Sequence, residues 1–254
     1  MSETYTLITG ASSGFGRSIA QKLAPSRRLL LAGRSKEKLG AVRNTCEAPE
    51  RHLLWVRDLS KLDGIGQELT CLLAARDIGI EHFIHSAGII KIQYARAIEM
   101  ASVIELFNVN LFSAMEIIRP LAQKKVNKGA LRSITFISSI ASRVGANGYS
   151  AYSASKGALN AFSLSLAVEL APAVRVNAVL PGIIETEMNK DHFANPEFVA
   201  FVRATQPLGF GYPEDVANAV EFVVSDRARW ITGQEIVVDG GRSVYSPPRA
   251  SATE

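Results

Sequence analysis

The chain has 254 residues, of which 47% are hydrophobic and 20% charged, a composition typical of a globular protein with a well-buried core. Its formal net charge of +4 comes from basic residues scattered among acidic ones, which argues against nucleic-acid binding but suits a phosphate-bearing ligand. The cysteines, Cys46 and Cys71, form no CxxC pair and no histidine cluster has ligand spacing, so we expect neither a disulfide framework nor a metal site.

The N-terminal residues lead directly into an apolar run and lack the charged start and long apolar stretch of a signal peptide. Nowhere do about 18 apolar residues follow one another, as a membrane-spanning helix requires. We therefore expect a cytoplasmic protein that does not bind membranes.

Apolar runs of strand length alternate with longer segments of helical period along the whole chain. The runs are 5–9, 29–32, 53–56, 83–85, 134–138, 174–180 and 235–238. This alternation predicts an α/β fold with a seven-stranded, parallel, doubly wound sheet and helices on both faces, formed by one domain over residues 1–254. Ligands of such sheets bind beyond the carboxyl ends of the strands.

Two segments lie outside this alternation. Residues 187–212 are longer than a normal connection and helical in part at 196–204, so we predict that they form a lid over the substrate. Residues 246–254 are predicted to be a flexible or partner-docked tail.

A glycine-rich turn follows the first strand and precedes a helical pattern that begins at Arg17. Glycine permits positive φ and close backbone approach, and the helix N-terminus offers free N–H groups to a pyrophosphate. A tight turn without a ligand is the alternative interpretation. The candidate cofactor-binding residues of this turn are Gly10, Ser12, Ser13, Gly14, Phe15 and Gly16.

The ends of the next strands supply further candidates for a dinucleotide site. Arg34 follows the second strand where an acid would favour NAD, and its guanidinium matches a 2′-phosphate, so we predict NADP(H) in preference to NAD(H). Asp58, next to Leu59 after the third strand, could bind the adenine amino group, while Asp58 or Ser60 could instead cap a helix beginning near Lys61.

Tyr152 and Lys156 have the i, i+4 spacing that places two side chains on one face of a helix. A nearby ammonium stabilises a phenolate, so we expect Lys156 to lower the pKa of Tyr152 and make it a proton donor. Ser139 ends the fifth strand and could hydrogen-bond a substrate carbonyl or cap a turn, and chemistry alone does not separate it from Ser138.

These motifs together resemble the short-chain dehydrogenase/reductase family over nearly the whole chain. They are Thr9-Gly10-x-x-x-Gly14-x-Gly16, Ser86-Ala87-Gly88, Asn110, Ser139, Tyr152-x-x-x-Lys156 and Pro181-Gly182. The resemblance implies a Rossmann-type domain, commonly a homotetramer, that transfers hydride between a nicotinamide cofactor and a carbonyl or alcohol. It also implies partner contacts through the helical segments 103–121 and 154–170, as a tetramer or a dimer.

The resemblance assigns roles to individual residues. Tyr152 is the general acid of reduction, Lys156 lowers its pKa and holds the nicotinamide ribose, and Ser139 polarises the carbonyl. Asn110, and not the nearby Asn108, matches the family asparagine that kinks its helix and anchors a water toward the lysine. The remaining cofactor contacts are assigned to Ala87, Gly88, Pro181, Gly182, Ile184 and Thr186.

One position departs from the family pattern. His85-Ser86 stands where the family has two asparagines, and we interpret His85 as a core residue at a strand end.

The C-terminal motifs most resemble those of 3-oxoacyl-carrier-protein reductases, which predicts an NADPH-dependent ketone reductase acting on a 3-oxoacyl thioester, with a carrier protein as possible bearer. The alternatives are a sugar or polyol dehydrogenase and a non-enzymatic NADP-binding regulatory protein. The cluster of Lys124, Lys125 and Lys128 is either a carrier-protein contact or a solvated helix end. Lys91 and Arg143 either attract an anionic substrate or are ordinary surface charges.

Overall fold

A computed structural model describes residues 3–246, so the predicted tail falls outside it apart from Ser246. One sheet contains seven strands, all pairing in parallel in the order β3-β2-β1-β4-β5-β6-β7. The strands are β1 (Thr4–Thr9), β2 (Leu29–Gly33), β3 (Leu53–Val56), β4 (Gly79–His85), β5 (Ser133–Ile137), β6 (Arg175–Pro181) and β7 (Glu235–Val238). The predicted fold class is confirmed.

Helices connect the strands and cover both faces of the sheet. They are α1 (Gly14–Leu23), α2 (Lys36–Thr45), α3 (Ile65–Arg76), α4 (Met100–Phe107), α5 (Ser113–Leu121), α6 (Ser150–Glu169), α7 (Lys190–Phe193), α8 (Pro196–Thr205) and α9 (Pro213–Val224). Leu69, Ile117 and Leu159 belong to the core on one face. Ile19 and Val220 belong to the core on the other.

The stretch Met100–Leu121 is helical throughout but changes geometry in its middle. A π-helical turn, Asn108–Phe112, joins α4 to α5. By length and composition this stretch could cross a membrane, with a mean hydropathy of 1.4 in its most apolar window. Here Ile117 and Leu121 pack in the core, as in the core helix of a folded domain.

The strand order reverses between β1 and β4, the neighbouring strands that begin the two halves of the sheet. Their carboxyl ends lie side by side, with Thr9 opposite His85. Chain segments leaving these two strands diverge, which opens a crevice at this point. The segments that follow β1, β2, β3 and β4 all meet at the edge of this crevice.

Most predicted element boundaries agree with the structure to within one residue, but three do not. Helix α1 begins at Gly14 and not at Arg17, so the last glycines of the turn belong to its first helical turn. Strand β4 begins at Gly79 and not at 83. The sequence prediction was too short because the polar Glu81 and His82 interrupt the apolar pattern. His82 is nevertheless buried, and its Nδ1 lies 2.8 Å from the Ser133 hydroxyl. Helix α3 begins at Ile65 and not near Lys61, so neither Asp58 nor Ser60 caps it, and that alternative is wrong.

Candidate active site

The glycine-rich turn packs against the loop that follows β4. A Cβ on Gly10 would lie 2.8 Å from the Ala87 backbone, and one on Gly16 would lie 2.2 Å from the Gly10 carbonyl oxygen. Gly10 and Gly14 also have positive φ, +65° and +50°. Only glycine satisfies these constraints. The turn thus presents bare backbone at the N-terminus of α1, as a pyrophosphate requires.

Most of the predicted cofactor residues line a single cleft above the carboxyl ends of the strands. They are Gly10, Ser12, Ser13, Gly14, Phe15, Gly16, Arg34, Asp58, Leu59, Ala87, Gly88, Tyr152, Lys156 and Thr186. The cleft runs from Arg34 at one end to Tyr152 and Lys156 at the other. Its glycine cradle fits the diphosphate of a dinucleotide, which would supply the hydride when bound.

At the Arg34 end of the cleft, the Asp58 carboxylate accepts hydrogen bonds from within its own loop. Its Oδ1 accepts hydrogen bonds from the Ser60 amide at 3.0 Å and the Ser60 hydroxyl at 2.8 Å. Partial burial favours the neutral acid, but these bonds, together with Arg34 and Lys61, hold the pKa of Asp58 below its usual value. Asp58 is therefore a carboxylate lining the cleft beside the predicted adenine position.

The segment after β6 reaches the cleft at Thr186. Gly182 approaches β7 so closely that a Cβ there would lie 2.7 Å from the Asp239 Cα. Ile184 is buried, and Pro181 is the last residue of β6. Thr186 faces the cleft, and its backbone amide donates to the Asn189 side chain at 2.8 Å. Of these predicted residues, Thr186 is the one that lines the cleft.

Lys156 and Tyr152 lie on one face of α6 at the inner end of the cleft. The Lys156 Nζ donates to the Ile137 carbonyl at 2.9 Å and lies 5.9 Å from the centre of the Tyr152 ring. Burial lowers the pKa of Lys156 to about 8. The pKa of Tyr152 is raised to about 12, mainly by burial and in smaller part by Tyr149, against the lowering effect of the Ser139 side chain.

The expectation that Lys156 lowers the pKa of Tyr152 is therefore wrong for this structure. The ammonium is directed at the Ile137 carbonyl, and desolvation of the phenol outweighs every favourable contact. The Tyr152 phenol is consequently protonated at neutral pH.

The two serines after β5 have different surroundings. Ser138 is buried and its hydroxyl faces the Lys156 carbonyl at 3.4 Å. The Ser139 side chain interacts with Tyr152, and its Oγ accepts a hydrogen bond from the Ala141 amide at 3.1 Å. Ser139 is thus both the cap of a short turn and the serine beside the phenol.

Asn110 lies in the π-helical turn and is completely buried. Its Oδ1 accepts from the Ile89 amide at 2.8 Å, and its Nδ2 donates to the Ile89 carbonyl and the Ser155 hydroxyl. These bonds tie α6 to the loop after β4. Asn108 instead donates to the Ser60 carbonyl, away from Lys156. The predicted helix distortion is present at this asparagine.

Sequence reasoning missed the polar support below the cleft. The Thr9 hydroxyl accepts a hydrogen bond from the Ala87 amide at 3.1 Å and lies 3.0 Å from the His85 Nδ1. Both side chains are fully buried, so His85 is a core residue, as interpreted. The usable signal was a threonine at the very end of an otherwise apolar strand. These contacts fix the spacing between the glycine turn and the loop after β4.

Both cations considered as substrate contacts already have anionic partners. Lys91 lies 3.1 Å from the Glu105 carboxylate, and the Arg143 Nε donates to Glu235 at 2.7 Å. These partners neutralise much of the positive charge that would attract an anionic substrate.

A family model described as "Enoyl-(Acyl carrier protein) reductase" matches residues 10–243, nearly the whole chain. The chain belongs to the short-chain dehydrogenase/reductase family. Its relatives and structural neighbours are dehydrogenases and reductases, so the prediction that the protein is an oxidoreductase is confirmed.

Similar proteins span almost the same length. The 3-oxoacyl-(acyl-carrier-protein) reductase FabG of Aquifex aeolicus is 34% identical over 93% of this chain and 96% of its own. An L-rhamnose 1-dehydrogenase (NAD(P)(+)) of a Sphingomonas species is 32% identical over 94% and 95%. The solved structure of 4-hydroxyisoleucine dehydrogenase complexed with NADH has a TM-score of 0.88, 26% identity and coverage of 96% and 100%. Members with such different substrates leave the substrate of this oxidoreductase open.

Proposed function

We propose that this protein is an NADPH-dependent reductase that converts a ketone to a secondary alcohol. The observation that carries the proposal is that Tyr152 and Lys156 line the inner end of a cleft whose other end carries Arg34, with Ser139 beside the Tyr152 phenol. A ketone oxygen beside the phenol would receive a hydrogen bond from Ser139 and a proton from Tyr152. The carbonyl carbon would receive the hydride from the cofactor.

The electrostatics of the site favour proton donation. A phenol whose burial raises its pKa to about 12 retains its proton until an oxygen develops negative charge beside it. The buried Lys156 ammonium, with a pKa lowered to about 8, would then stabilise the resulting phenolate. In this proposal Lys156 stabilises Tyr152 only after the phenol has given its proton to the substrate oxygen, and not in the resting enzyme.

The preference for NADP(H) rests on the end of β2. Arg34 is exposed at the cleft edge next to the buried Gly33, and the segment from Gly33 to Lys36 contains no acid. A guanidinium pairs with a 2′-phosphate, whereas a carboxylate there would bind free ribose hydroxyls and repel the phosphate.

The predicted lid favours an apolar substrate. Phe193 lies 5.3 Å from Phe198 and 6.4 Å from Phe210 between ring centres, so aromatic side chains cluster within segment 187–212. Phe193 and Phe210 also line a cavity of about 570 Å³ beside the cofactor cleft. The aromatic part of this lining suits an acyl chain better than a polyhydroxylated sugar, although four charged side chains also line the cavity: Arg17, Glu185, Glu187 and Lys190. A 3-oxoacyl thioester is therefore our first candidate substrate.

A sugar or polyol dehydrogenase is the second candidate, supported by the 32% identity to the L-rhamnose 1-dehydrogenase. For a carrier-protein partner, Lys124 and Lys125 are exposed, while Lys128 pairs with Asp77. This leaves a small basic patch that an acidic carrier could contact. A purely regulatory NADP-binding role gives no reason for a proton-donating site.

For the oligomer we propose a homotetramer or a dimer in the cytoplasm. Exposed apolar side chains lie on the outer faces of α4, the π-helical turn and α6, the segments for which partner contacts were expected. They are Met100, Ile104, Phe112, Leu164 and Val168, the last 81% exposed. Pairing of these faces between copies would remove the exposed apolar area from water.

The decisive experiment is NADPH oxidation with acetoacetyl-CoA, simple ketones and ketoses, together with NADP⁺ reduction by L-rhamnose. Turnover that Tyr152→Phe abolishes would support the reductase, and the preferred compound would identify the substrate class. Equal NADPH binding by both forms with no turnover of any compound would overturn the ketone reductase in favour of a binding role.

A further inference from the structure

Glu187 places its carboxylate at the phosphate-binding turn. The Glu187 Oε2 accepts a hydrogen bond from the Gly14 amide at 2.9 Å, and its Oε1 lies 3.0 Å from the Arg17 guanidinium. The carboxylate thus bridges an N-terminal amide of α1 and a side chain of the first turns of the same helix. Glu187 lines the cofactor cleft, and Arg17 and Glu187 both line the neighbouring cavity.

A diphosphate and this carboxylate compete for the same donors. The N-terminal amides of α1 carry partial positive charge and bind an anion, and one N–H cannot donate fully to two anions. A phosphate at the Gly14 amide would also present further oxygens toward Arg17, as Glu187 does with its second oxygen. The two negative groups would repel each other at this distance.

We propose that Glu187 is an internal substitute for the cofactor diphosphate, and that Arg17 becomes a phosphate ligand once Glu187 leaves. This inference rests on the proposed NADP(H) function. It makes Glu187 and Arg17 determinants of cofactor affinity that act in opposite directions.

The local structure allows this exchange without a backbone rearrangement. Asn189 accepts from the Thr186 amide at 2.8 Å and donates to the Ile184 carbonyl at 2.9 Å, which fixes the backbone on which Glu187 stands. The Glu187 and Arg17 side chains are each 46% exposed, so Glu187 can rotate into solvent. The first turn of α1 contains no acidic residue. The negative charge at the N-terminus of α1 is therefore supplied by Glu187, which is distant in sequence.

The competing interpretation is that Glu187 only stabilises the N-terminus of α1. In that case loss of its charge would lower the free energy of unfolding and leave cofactor affinity unchanged. The two interpretations therefore predict different measurements on the same variant.

The test measures the NADPH dissociation constant of wild type, Glu187→Gln and the matched control Glu185→Gln by fluorescence titration. Glu185 lines the same cavity, and within residues 3–246 it forms no hydrogen bond or ion pair with the glycine turn. Glu187→Gln should bind NADPH about three- to tenfold more tightly, since a half-exposed charged contact contributes up to about tenfold. Glu185→Gln should bind like wild type. Adenosine 2′-monophosphate, which lacks the diphosphate, should bind all three proteins equally.

Arg17 is tested in the same assay. Arg17→Gln should weaken NADPH binding about three- to tenfold in the Glu187→Gln background, and by less in wild type, where the same substitution also removes the ion pair that holds Glu187 at the turn. Unchanged NADPH affinity of Arg17→Gln in the Glu187→Gln background would show that Arg17 only holds Glu187 and would overturn its role as ligand.

The outcomes separate the inference from the function. Equal NADPH affinity of wild type and Glu187→Gln would overturn the inference and leave the cofactor assignment intact. No NADPH binding by any variant would overturn the proposed function itself. If Glu187→Gln does not fold, Glu187→Asp serves, because the shorter carboxylate cannot bridge both donors and should also bind NADPH more tightly than wild type. Unchanged affinity in Glu187→Asp would then overturn the inference.

Discussion

The Lys156 ammonium lies 5.9 Å from the centre of the Tyr152 ring, and burial disfavours the charged form of both side chains. Desolvation raises the pKa of the phenol to about 12 and lowers that of the amine to about 8. The neutral phenol is a proton donor at pH 7, and the amine is still mostly charged. The site therefore holds the proton that reduction of a carbonyl requires. Of these two groups, the Lys156 amine has the pKa closer to 7.

The first prediction concerns the pH dependence of reduction. With a Lys156 pKa of about 8, kcat/KM should be constant below pH 7 and fall about tenfold per unit above pH 9, because the charged amine is lost. Stopped-flow NADPH oxidation between pH 6 and 10 measures this. The residual activity of Lys156→Arg, which keeps its charge, should not fall in this range, and a flat wild-type profile would contradict the role of Lys156.

The second prediction concerns stability. Because the folded pKa of Lys156 is lowered, the buried charge costs stability below pH 8, and this cost disappears as the pH rises from 8 to 10.5. Lys156→Met should therefore raise the free energy of unfolding at pH 7 by about 2 kcal/mol, after allowing for the lost bond to Ile137. Urea denaturation at pH 7 and pH 10 checks it. The gain should vanish at pH 10, and a less stable variant at pH 7 would show that the hydrogen bond dominates.

The third prediction concerns acid. Burial, with a smaller contribution from Lys156, lowers the pKa of His85 to about 3, so the folded state binds fewer protons than the unfolded state below pH 6.5. Stability should fall as the pH drops from 6.5 toward 3. His85→Asn should lose less stability over this range than wild type, whereas the exposed His192→Asn should match it. Denaturation midpoints between pH 7 and pH 4 test this, and parallel curves for all three proteins would contradict it.

The fourth prediction concerns cofactor choice. Arg34→Ala should lower kcat/KM for NADPH about 10- to 100-fold and leave kcat/KM for NADH nearly unchanged, because only NADPH carries the 2′-phosphate. Lys36→Ala is the matched control, since Lys36 is exposed nearby but does not line the cleft. Equal losses with both cofactors in Arg34→Ala would assign Arg34 a structural role.

Local patterns predicted the sheet and much of the cleft because both follow from short-range signals. Apolar runs mark strands that are buried on both faces, and in a parallel sheet their carboxyl ends meet at one edge. This is why Gly10, Arg34, Asp58 and Ala87, far apart in sequence, line one cleft. Strand β4 was found only in part because a hydrogen bond from elsewhere in the fold, to Ser133, satisfies the polar His82.

What the sequence did not predict depends on tertiary environment. The spacing of Tyr152 and Lys156 indicates a shared helix face, but the direction of the Tyr152 pKa depends on burial, which spacing does not reveal. The contact of Glu187 with Gly14 joins residues 173 positions apart, through a side chain whose partner no local pattern indicates. Charge contacts of this kind require the assembled site.

The fifth prediction concerns the glycine cradle. Gly10→Ala should lower the free energy of unfolding by about 2–4 kcal/mol, because φ is +65° and the new Cβ would lie 2.8 Å from the Ala87 backbone. Relief of that contact requires the loop after β4 to move, which would also weaken NADPH binding. Gly40→Ala is the matched control: its Cβ would meet nothing within 4 Å, and inside helix α2 it should stabilise the protein by about 0.5–1 kcal/mol. Thermal unfolding and NADPH titration of both variants test the pair. A Gly10→Ala protein with wild-type stability and affinity would show that the close approach of Gly10 and Ala87 is not needed to shape the cleft.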